Sequence, residues 1–322
     1  MGFRPNRILA GDIGATHSRL AVFRHQNNRY EILRSATYSS PKHRSLTEVL
    51  ASFLENEQAE FDAVCLGLPV PIHSQVVFPF TNLPWRVDRK EVLRAVGTDR
   101  VALINDVQAS AAGIHRLSDA DLVCLQPGQV DPAGNRVVVS VGTGLGVSAL
   151  SPSGHAFATE AGHATFAPSC AFDLDLQARL QHEYGHVSWE RVASGLALPA
   201  IHALLAPEQS PLLEASEIVR RSSSDLVCIE AVETFRRYIG SAVGNIALTL
   251  MASGGLYLTG GVAAKVLDKN NADSFISAFR DKGRMRDLLE RMPVFLVIEN
   301  NLALHGAAET AITLLSDKPD DC

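Results

Sequence analysis

The chain has 322 residues, 46% of them hydrophobic and 20% charged, with a formal net charge of −6. This composition is typical of a water-soluble globular protein with one large or two ordinary domains, and the lack of a long Lys/Arg cluster argues against nucleic acid as a main partner. The five scattered cysteines form no Cys-x-x-Cys pair, which argues for a reducing, cytoplasmic compartment and against a disulfide framework or thiolate metal site. No apolar signal core precedes the first strand, so we expect no secretion.

The first pattern along the chain is an apolar strand, a glycine turn and a second apolar strand. Residues 7–16 read Arg-Ile-Leu-Ala-Gly-Asp-Ile-Gly-Ala-Thr, and residues 18–23 read Ser-Arg-Leu-Ala-Val-Phe. Glycine permits positive φ and close approach of the backbone to a ligand, and consecutive N–H groups in such a turn form an anion-binding concavity. This turn is therefore a candidate phosphate loop.

The next elements alternate between helices and strands. They are a helix that a capping box starts at Ser45, a strand at 61–68, and a helix from Asp88 to near Gly97. A short buried strand at 101–104 then ends just before Asn105 and Asp106, and helix-forming residues follow at once. This half of the chain predicts a mixed sheet flanked by helices.

A second strand–turn–strand pattern stands roughly half a chain later. Residues 137–146 read Val-Val-Val-Ser-Val-Gly-Thr-Gly-Leu-Gly, and residues 147–150 read Val-Ser-Ala-Leu. The repetition predicts duplicated α/β domains with a cleft between them, in which two facing turns could hold one polyphosphate. The last helix, at about 303–315, could return to the first domain.

One long uncharged stretch invites a membrane interpretation. Residues 238–264 carry no charged side chain, but the Gly254-Gly255 pair divides them. A buried helix followed by a buried strand at 256–259 explains the stretch better than a bilayer span. We therefore expect no membrane association.

Several short motifs occur in an order and spacing that resemble those of a known family. They are Gly11–Thr16, Thr81–Trp85, Leu103–Asp106, the turn at Gly142–Gly144, Glu160–His163 with Phe166–Pro168, Val187–Val192, Gly260-Gly261, and Phe279–Arg284 with Met292–Val294. The series resembles the bacterial glucokinase family, within the superfamily of sugar kinases, actin and heat-shock ATPases. No clustered Cys/His insertion is present, which favours the group of glucokinases without zinc.

The resemblance implies two actin-like ATPase-type α/β domains that close over ATP and a hexose. The small domain would comprise residues 1–116 and 304–322, and the large domain residues 117–303. It also implies a homodimer, and transfer of the γ-phosphoryl group to the 6-hydroxyl of glucose.

Asp106 is the predicted catalytic residue. A carboxylate at the carboxyl end of a strand, facing a cleft, can accept the hydroxyl proton during phosphoryl transfer. The alternative is that Asp106 only caps the following helix.

The remaining site residues follow from the resemblance. The predicted sugar-binding positions, besides Asp106, are Asn82, Asn105, Glu160, His163 and Glu190. The predicted ATP-binding positions are Gly11, Asp12, Ile13, Gly14, Ala15, Thr16, Gly142, Thr143, Gly144, Gly260 and Gly261. Asp12 is expected to orient Mg²⁺ through water, because this ion keeps much of its hydration shell. The structural alternatives are that Asn82 and His163 are ordinary turn residues and that Glu190 is an exposed helical residue.

Three residues depart from the family pattern. Ala15 and Ala161 replace glycines, and His17 replaces the usual Asn. A methyl at position 15 would crowd a phosphate if that residue needed positive φ.

Three other functions are weighed against the sugar kinase. Residues 182–186 satisfy the zinc-protease pattern H-E-x-x-H, but Gly185 and the β-branched Val187 predict that a helix ends there. A catalytically weak sugar or nucleotide sensor and an ATPase without a sugar acceptor stay open as alternatives.

Overall fold

A computed structural model of the chain describes residues 4–27, 29–55, 60–72, 77–80, 83–207 and 210–316. The strands of these residues are β1 Asn6–Ile13, β2 His17–Gln26, β3 Arg29–Ser39, β4 Ala63–Leu68, β5 Val77–Pro79, β6 Arg86–Asp88, β7 Val101–Asn105, β8 Leu122–Gln126, β9 Arg136–Val141, β10 Leu145–Leu150, β11 Ala156–Thr159, β12 Gly255–Thr259 and β13 Val294–Val297. Their helices are α1 Leu46–Leu54, α2 Arg89–Val96, α3 Asp106–Gly113, α4 Ala171–Tyr184, α5 Trp189–Ala193, α6 Ala197–Leu205, α7 Ala215–Arg221, α8 Leu226–Leu250, α9 Ala263–Val266, α10 Asp273–Arg280, α11 Arg286–Arg291 and α12 Leu302–Ser316.

The chain divides into two units, and the first comprises Met1–Leu117 with Asn300–Cys322. Its five-stranded sheet has the order β3-β2-β1-β4-β7, in which β1, β4 and β7 are parallel and β1, β2 and β3 are antiparallel. Alternation along β1 sends Leu9 to the core shared with α1 and α2, and Ile8 to the core shared with α3 and α12. The sheet is therefore covered by helices on both faces.

The C-terminal helix lies very close to α3. A Cβ on Gly306 would lie 1.7 Å from the carbonyl oxygen of Ala109, and a Cβ on Gly113 would lie 2.5 Å from that of Leu302. Glycine at both crossing points allows the two helix backbones to approach. The close packing of α12 against α3 thereby fixes the position of α3, whose first residue is Asp106.

The second unit, Ser118–Glu299, contains a six-stranded sheet of order β11-β10-β9-β12-β13-β8. Strands β9, β12 and β13 are parallel, and the outer strands pair antiparallel. Helix α8 packs in the core of this unit, and α10 crosses it at Gly240 and Gly244, where a Cβ would lie 2.1 Å and 2.5 Å from backbone oxygens of α10. Both units are thus mixed sheets flanked by helices, as the sequence predicted.

Local signals in the sequence are confirmed at several element ends. Ser45 caps α1 by accepting the N–H of Glu48 at 3.1 Å, whereas the Glu48 carboxylate accepts the N–H of Arg44 and so does not close the predicted capping box. Helix α2 ends at Gly97, which has a φ of 72°.

The uncharged stretch at residues 238–264 forms the end of α8 followed by β12. Among the described residues no helix is both long and apolar enough to cross a membrane.

Candidate active site

The first glycine turn joins β1 to β2, as predicted. Gly14 donates its N–H to the carbonyl oxygen of His17 at 2.9 Å, and its own carbonyl oxygen accepts the Ser40 hydroxyl at 2.7 Å. Gly11 lies within β1, where a Cβ would come within 2.6 Å of Leu66 and 2.8 Å of Leu20. A side chain at position 11 would therefore displace the buried ends of Leu66 and Leu20.

The alanine in this turn causes no backbone strain. Among the described non-glycine residues, positive φ occurs only at Asn27 and Met251, so Ala15 adopts an ordinary conformation. The N–H groups of Ala15 and Thr16 have no acceptor among the residues that the structure describes. The turn thus presents two backbone donors to an anion, and the conformational objection to Ala15 is removed.

Asp12 is half-buried and paired with a cation. It lies directly opposite Arg19 in the β1–β2 register, and Arg19 Nη1 donates to Asp12 Oδ2 at 3.1 Å. Burial raises the pKa of Asp12, and the Arg19 guanidinium opposes this rise.

The carboxyl end of β7 presents Asn105 and Asp106. Asn105 Oδ1 caps α3 by accepting the N–H groups of Val107 at 2.9 Å and Gln108 at 3.3 Å. Its Nδ2 donates to the carbonyl oxygen of Val70 at 3.4 Å. Asp106 is the first residue of α3, and its Oδ1 also accepts the N–H of Val107 at 2.8 Å. The capping role offered as the alternative for Asp106 therefore falls mainly on Asn105.

The electrostatics of Asp106 are unusual for a carboxyl group. Burial, and then the negative charge of Asp12, raise its pKa from 3.8 to about 7. A Cβ on Gly67 in β4 would lie 3.4 Å from the Asp106 Cα and 3.6 Å from the Gly11 carbonyl oxygen. Both distances are ordinary van der Waals contacts, so Gly67 lies close to the start of α3 and to the strand that carries Asp12. Asn82, the remaining candidate on this part of the chain, lies outside the described residues.

In the second unit, the turn between β9 and β10 has an open outer side. Gly142 donates its N–H to the carbonyl oxygen of Gly144 at 3.0 Å, and a Cβ on Gly142 would meet nothing within 4 Å. The N–H groups of Thr143 and Gly144 have no acceptor in the described part of the chain. This second turn, like the first, has two free backbone donors.

Three of the predicted sugar-binding side chains lie together in this unit. His163 Nε2 lies 3.7 Å from Glu160 Oε2, and His163 Nδ1 lies 3.9 Å from Glu190 Oε1. Glu160 and His163 are exposed, whereas the Glu190 side chain is only 21% exposed. The cluster offers two carboxylates and an imidazole to a polyhydroxyl ligand, which can both donate to and accept from such groups. The alternative that Glu190 is an exposed helical residue is wrong.

The loops that contain the other candidates pack around the β9–β10 turn. Val262, next to Gly260-Gly261, donates its N–H to the carbonyl oxygen of Val141 at 3.1 Å, and Gly260 has a φ of 95°. Gly195 donates its N–H to the carbonyl oxygen of Gly142 at 2.9 Å. The structure thus gathers the second-unit candidates at one end of β9 and β12.

The zinc-protease pattern does not form a helical site. Helix α4 ends at Tyr184, and Gly185 follows with a φ of 73°, so His182 and His186 do not share a continuous helix. This end was predicted from Gly185. Within the described ranges, no group of three or more His, Cys, Asp or Glu residues could hold a metal ion.

Sequence reasoning missed three residues that shape the site. Arg19 could have been found, because a symmetrical hairpin about residues 14–17 places it opposite Asp12 and opposite charges pair across strands. Gly67 could have been found as a glycine inside a strand, which signals close backbone approach. Gly162 packs closely against Leu145: a Cβ on Gly162 would lie 2.0 Å from the Leu145 carbonyl oxygen. No local signal in the sequence predicts that contact.

Comparison with known proteins gives consistent matches over almost the whole length. A model of the family described as Glucokinase matches residues 9–314. Proteins named glucokinase from Marinobacter nauticus and Chromohalobacter salexigens are 35% and 34% identical, each over 94% of this chain and 96% of the relative.

Solved structures show the same similarity. A glucokinase from an Antarctic psychrotroph has a TM-score of 0.83 and 28% identity, covering 97% of this chain and 100% of the other. A ROK family glucokinase from Streptomyces griseus, solved in complex with glucose and AMPPNP, has a TM-score of 0.62 at 20% identity, covering 96% and 100%. At that identity the second likeness concerns the fold alone.

Proposed function

The chain belongs to the glucokinase family and has its actin-like ATPase-type fold, and from this premise we propose that it transfers the γ-phosphoryl group of ATP to glucose. The product would be glucose 6-phosphate. The observation that carries the proposal for the chemistry is Asp106, a half-buried carboxyl at a strand end whose pKa is raised to about 7. A general base works best when its pKa lies near the operating pH. A large fraction of the carboxyl is then ionised and able to accept a proton, and the carboxylate still binds that proton firmly.

In the proposed reaction, Asp106 accepts the proton of the sugar 6-hydroxyl. The hydroxyl oxygen then forms its bond to the γ-phosphorus, and the bond from that phosphorus to the β,γ-bridging oxygen breaks, releasing ADP. Asp106 keeps its orientation through the Val107 N–H, while Asn105 holds the start of α3. General-base assistance of this kind contributes about 10²–10⁴ in rate.

The sugar pocket is proposed to use Glu160, His163 and Glu190, together with Asn105 and Asn82. The clustering of the first three in the second unit supports this assignment. A hexose whose hydroxyl points the wrong way would leave one of these polar groups unpaired in the dry pocket, at a cost of about 1–3 kcal/mol for each group. The pocket would therefore discriminate between hexoses by the orientation of their hydroxyls.

The nucleotide is proposed to be held by the two glycine turns, with Gly260-Gly261 under the adenosine. The free N–H groups of Ala15 and Thr16 in one turn, and of Thr143 and Gly144 in the other, support phosphate binding.

Magnesium is proposed to bind at Asp12 through water. Asp12 and Asp106 repel each other enough to raise the pKa of Asp106, and neighbouring carboxylates of this kind suit a hydrated divalent cation. Such an ion would neutralise charge on the transferred phosphoryl group.

The test is a coupled assay of ADP release with and without glucose. Release that depends on glucose supports the kinase. Release that ignores glucose, or glucose binding without turnover by the wild-type chain, contradicts it and favours an ATPase or a sensor. A panel of hexoses in the same assay ranks the acceptors by kcat/KM.

We also propose that the chain forms a homodimer and lies in the cytoplasm. Light scattering after size exclusion tests the homodimer, and fractionation of the native host tests the cytoplasmic location.

A further inference from the structure

One side chain of the second unit contacts both the sugar cluster and the nucleotide turn. Glu190 Oε2 accepts the backbone N–H of Leu145 at 2.9 Å, while its Oε1 faces His163 Nδ1 at 3.9 Å. Leu145 directly follows the turn at 142–144 and begins β10. One carboxylate is therefore shared by two groups of residues that are proposed to bind different ligands.

The turn leaves space for this carboxylate. A Cβ on Gly144 would lie 2.6 Å from Glu190 Oε2, so glycine at this position allows the carboxylate to reach the turn. Leu145 is only 4% exposed, and an N–H in a buried setting needs an acceptor. Loss of the Glu190 contact would therefore destabilise the local conformation of the turn.

The other sugar-binding segment contacts the same residue. A Cβ on Gly162, between Glu160 and His163, would lie 2.0 Å from the Leu145 carbonyl oxygen. Leu145 thus has Glu190 at its N–H and the Gly162 backbone at its carbonyl group. Both sugar-binding segments therefore contact the residue that directly follows the nucleotide turn.

We propose that Glu190 is a positioning residue that couples sugar binding to the nucleotide turn, beyond its own contact with the sugar. This inference rests on the proposed function and deepens it. A sugar hydroxyl bound at Oε1 fixes the carboxylate, and with it the Leu145 N–H and the turn. A turn ordered on phosphates in return holds the carboxylate ready for sugar. We expect glucose and the non-hydrolysable analogue AMPPNP to raise each other's affinity by the same factor, about tenfold.

The first test changes the turn and measures sugar affinity. Gly144→Ala should displace Glu190 from Leu145 without removing the carboxylate, because the clash falls on the end of a flexible side chain. By calorimetry without nucleotide, its Kd for glucose should rise about tenfold, the equivalent of one lost hydrogen bond. The matched control is Gly142→Ala, whose Cβ meets nothing within 4 Å and whose Kd for glucose should stay within about twofold of wild type.

The second test changes Glu190 and measures nucleotide affinity without sugar. Glu190→Gln keeps an oxygen that can accept the Leu145 N–H, whereas Glu190→Ala does not. We expect the Ala variant to bind AMPPNP about tenfold more weakly and the Gln variant to stay within about threefold of wild type. A residue that only binds sugar would leave AMPPNP affinity unchanged in both variants.

The two tests separate this inference from the proposed function. If Glu190→Ala binds AMPPNP as wild type does, the inference is wrong, whether or not Gly144→Ala folds. If Glu190→Ala weakens AMPPNP binding and glucose and AMPPNP show equal mutual enhancement in wild type, the inference is supported. Failure of the proposed function is seen differently, as a wild-type chain that releases no ADP in response to glucose.

Discussion

Replacing Asp106 with asparagine should abolish most of the activity and at the same time stabilise the fold. Asparagine has nearly the same shape, and its amide oxygen can still accept the Val107 N–H that Asp106 accepts at 2.8 Å. The substitution removes only the charge and the basic oxygen. If Asp106 is the general base, kcat should fall by about 10²–10⁴.

The stability gain follows from the raised pKa. The pKa of Asp106 is raised from 3.8 to about 7, first by burial and then by Asp12. The folded state therefore binds the proton more tightly than the unfolded state, so the wild type loses stability as pH rises through this range. Ionising the carboxyl in the fold costs up to about 4 kcal/mol above pH 7, of which about 3 kcal/mol appears between pH 5 and pH 8.

The assay compares thermal unfolding of wild type and Asp106→Asn at pH 5 and pH 8, alongside the coupled ADP assay. The variant should unfold at the higher temperature, and its advantage should grow by several degrees towards pH 8. An advantage that is constant between pH 5 and pH 8 would refute the raised pKa. A kcat within tenfold of wild type would refute the role of Asp106 as base.

Three further predictions follow from neighbouring contacts. Asp12→Asn should move the acidic limb of the kcat/KM profile below pH 7, because the Asp12 charge helps to raise the pKa of Asp106, and an unmoved limb would contradict this. Gly67→Ala places a Cβ 3.2 Å from Ala109 Cβ and should shift α3 by a few tenths of an ångström, lowering kcat about threefold with KM for ATP little changed. Wild-type kcat in this variant would refute the positioning role. Gly306→Ala places a Cβ 1.7 Å from the Ala109 carbonyl oxygen and should destabilise the fold by about 3 kcal/mol in denaturant unfolding. Gly261→Ala, which meets nothing within 4 Å, is its control, and equal effects of the two would count against the packing argument.

The elements that sequence patterns predicted are those whose signals are local. Ser45 and Gly97 mark helix ends by their own backbone and side-chain chemistry, and both are confirmed. The two hairpins were predicted from apolar runs on either side of glycine. The contact between Glu190 and Leu145 joins residues 45 positions apart, and neither its register nor its partner follows from any local pattern. The raised pKa of Asp106 was not predicted for the same reason, since it depends on burial and on Asp12, which lies in β1.

The two glycine turns look alike in sequence but need glycine for different physical reasons. Just before the first turn, a Cβ on Gly11 in β1 would displace the side chains of Leu66 and Leu20, and within the turn a Cβ on Gly14 would lie 3.0 Å from the carbonyl oxygen of His17, whereas Ala15 has no positive φ. In the second, a Cβ on Gly144 would displace the carboxylate of Glu190, which lies on α5. A substitution at Gly11 or Gly14 therefore acts on the packing of the β1–β2 hairpin, whereas one at Gly144 acts on the Glu190 side chain. We infer that position 15 of the first turn can vary without backbone strain, whereas position 144 of the second turn is constrained by the Glu190 carboxylate.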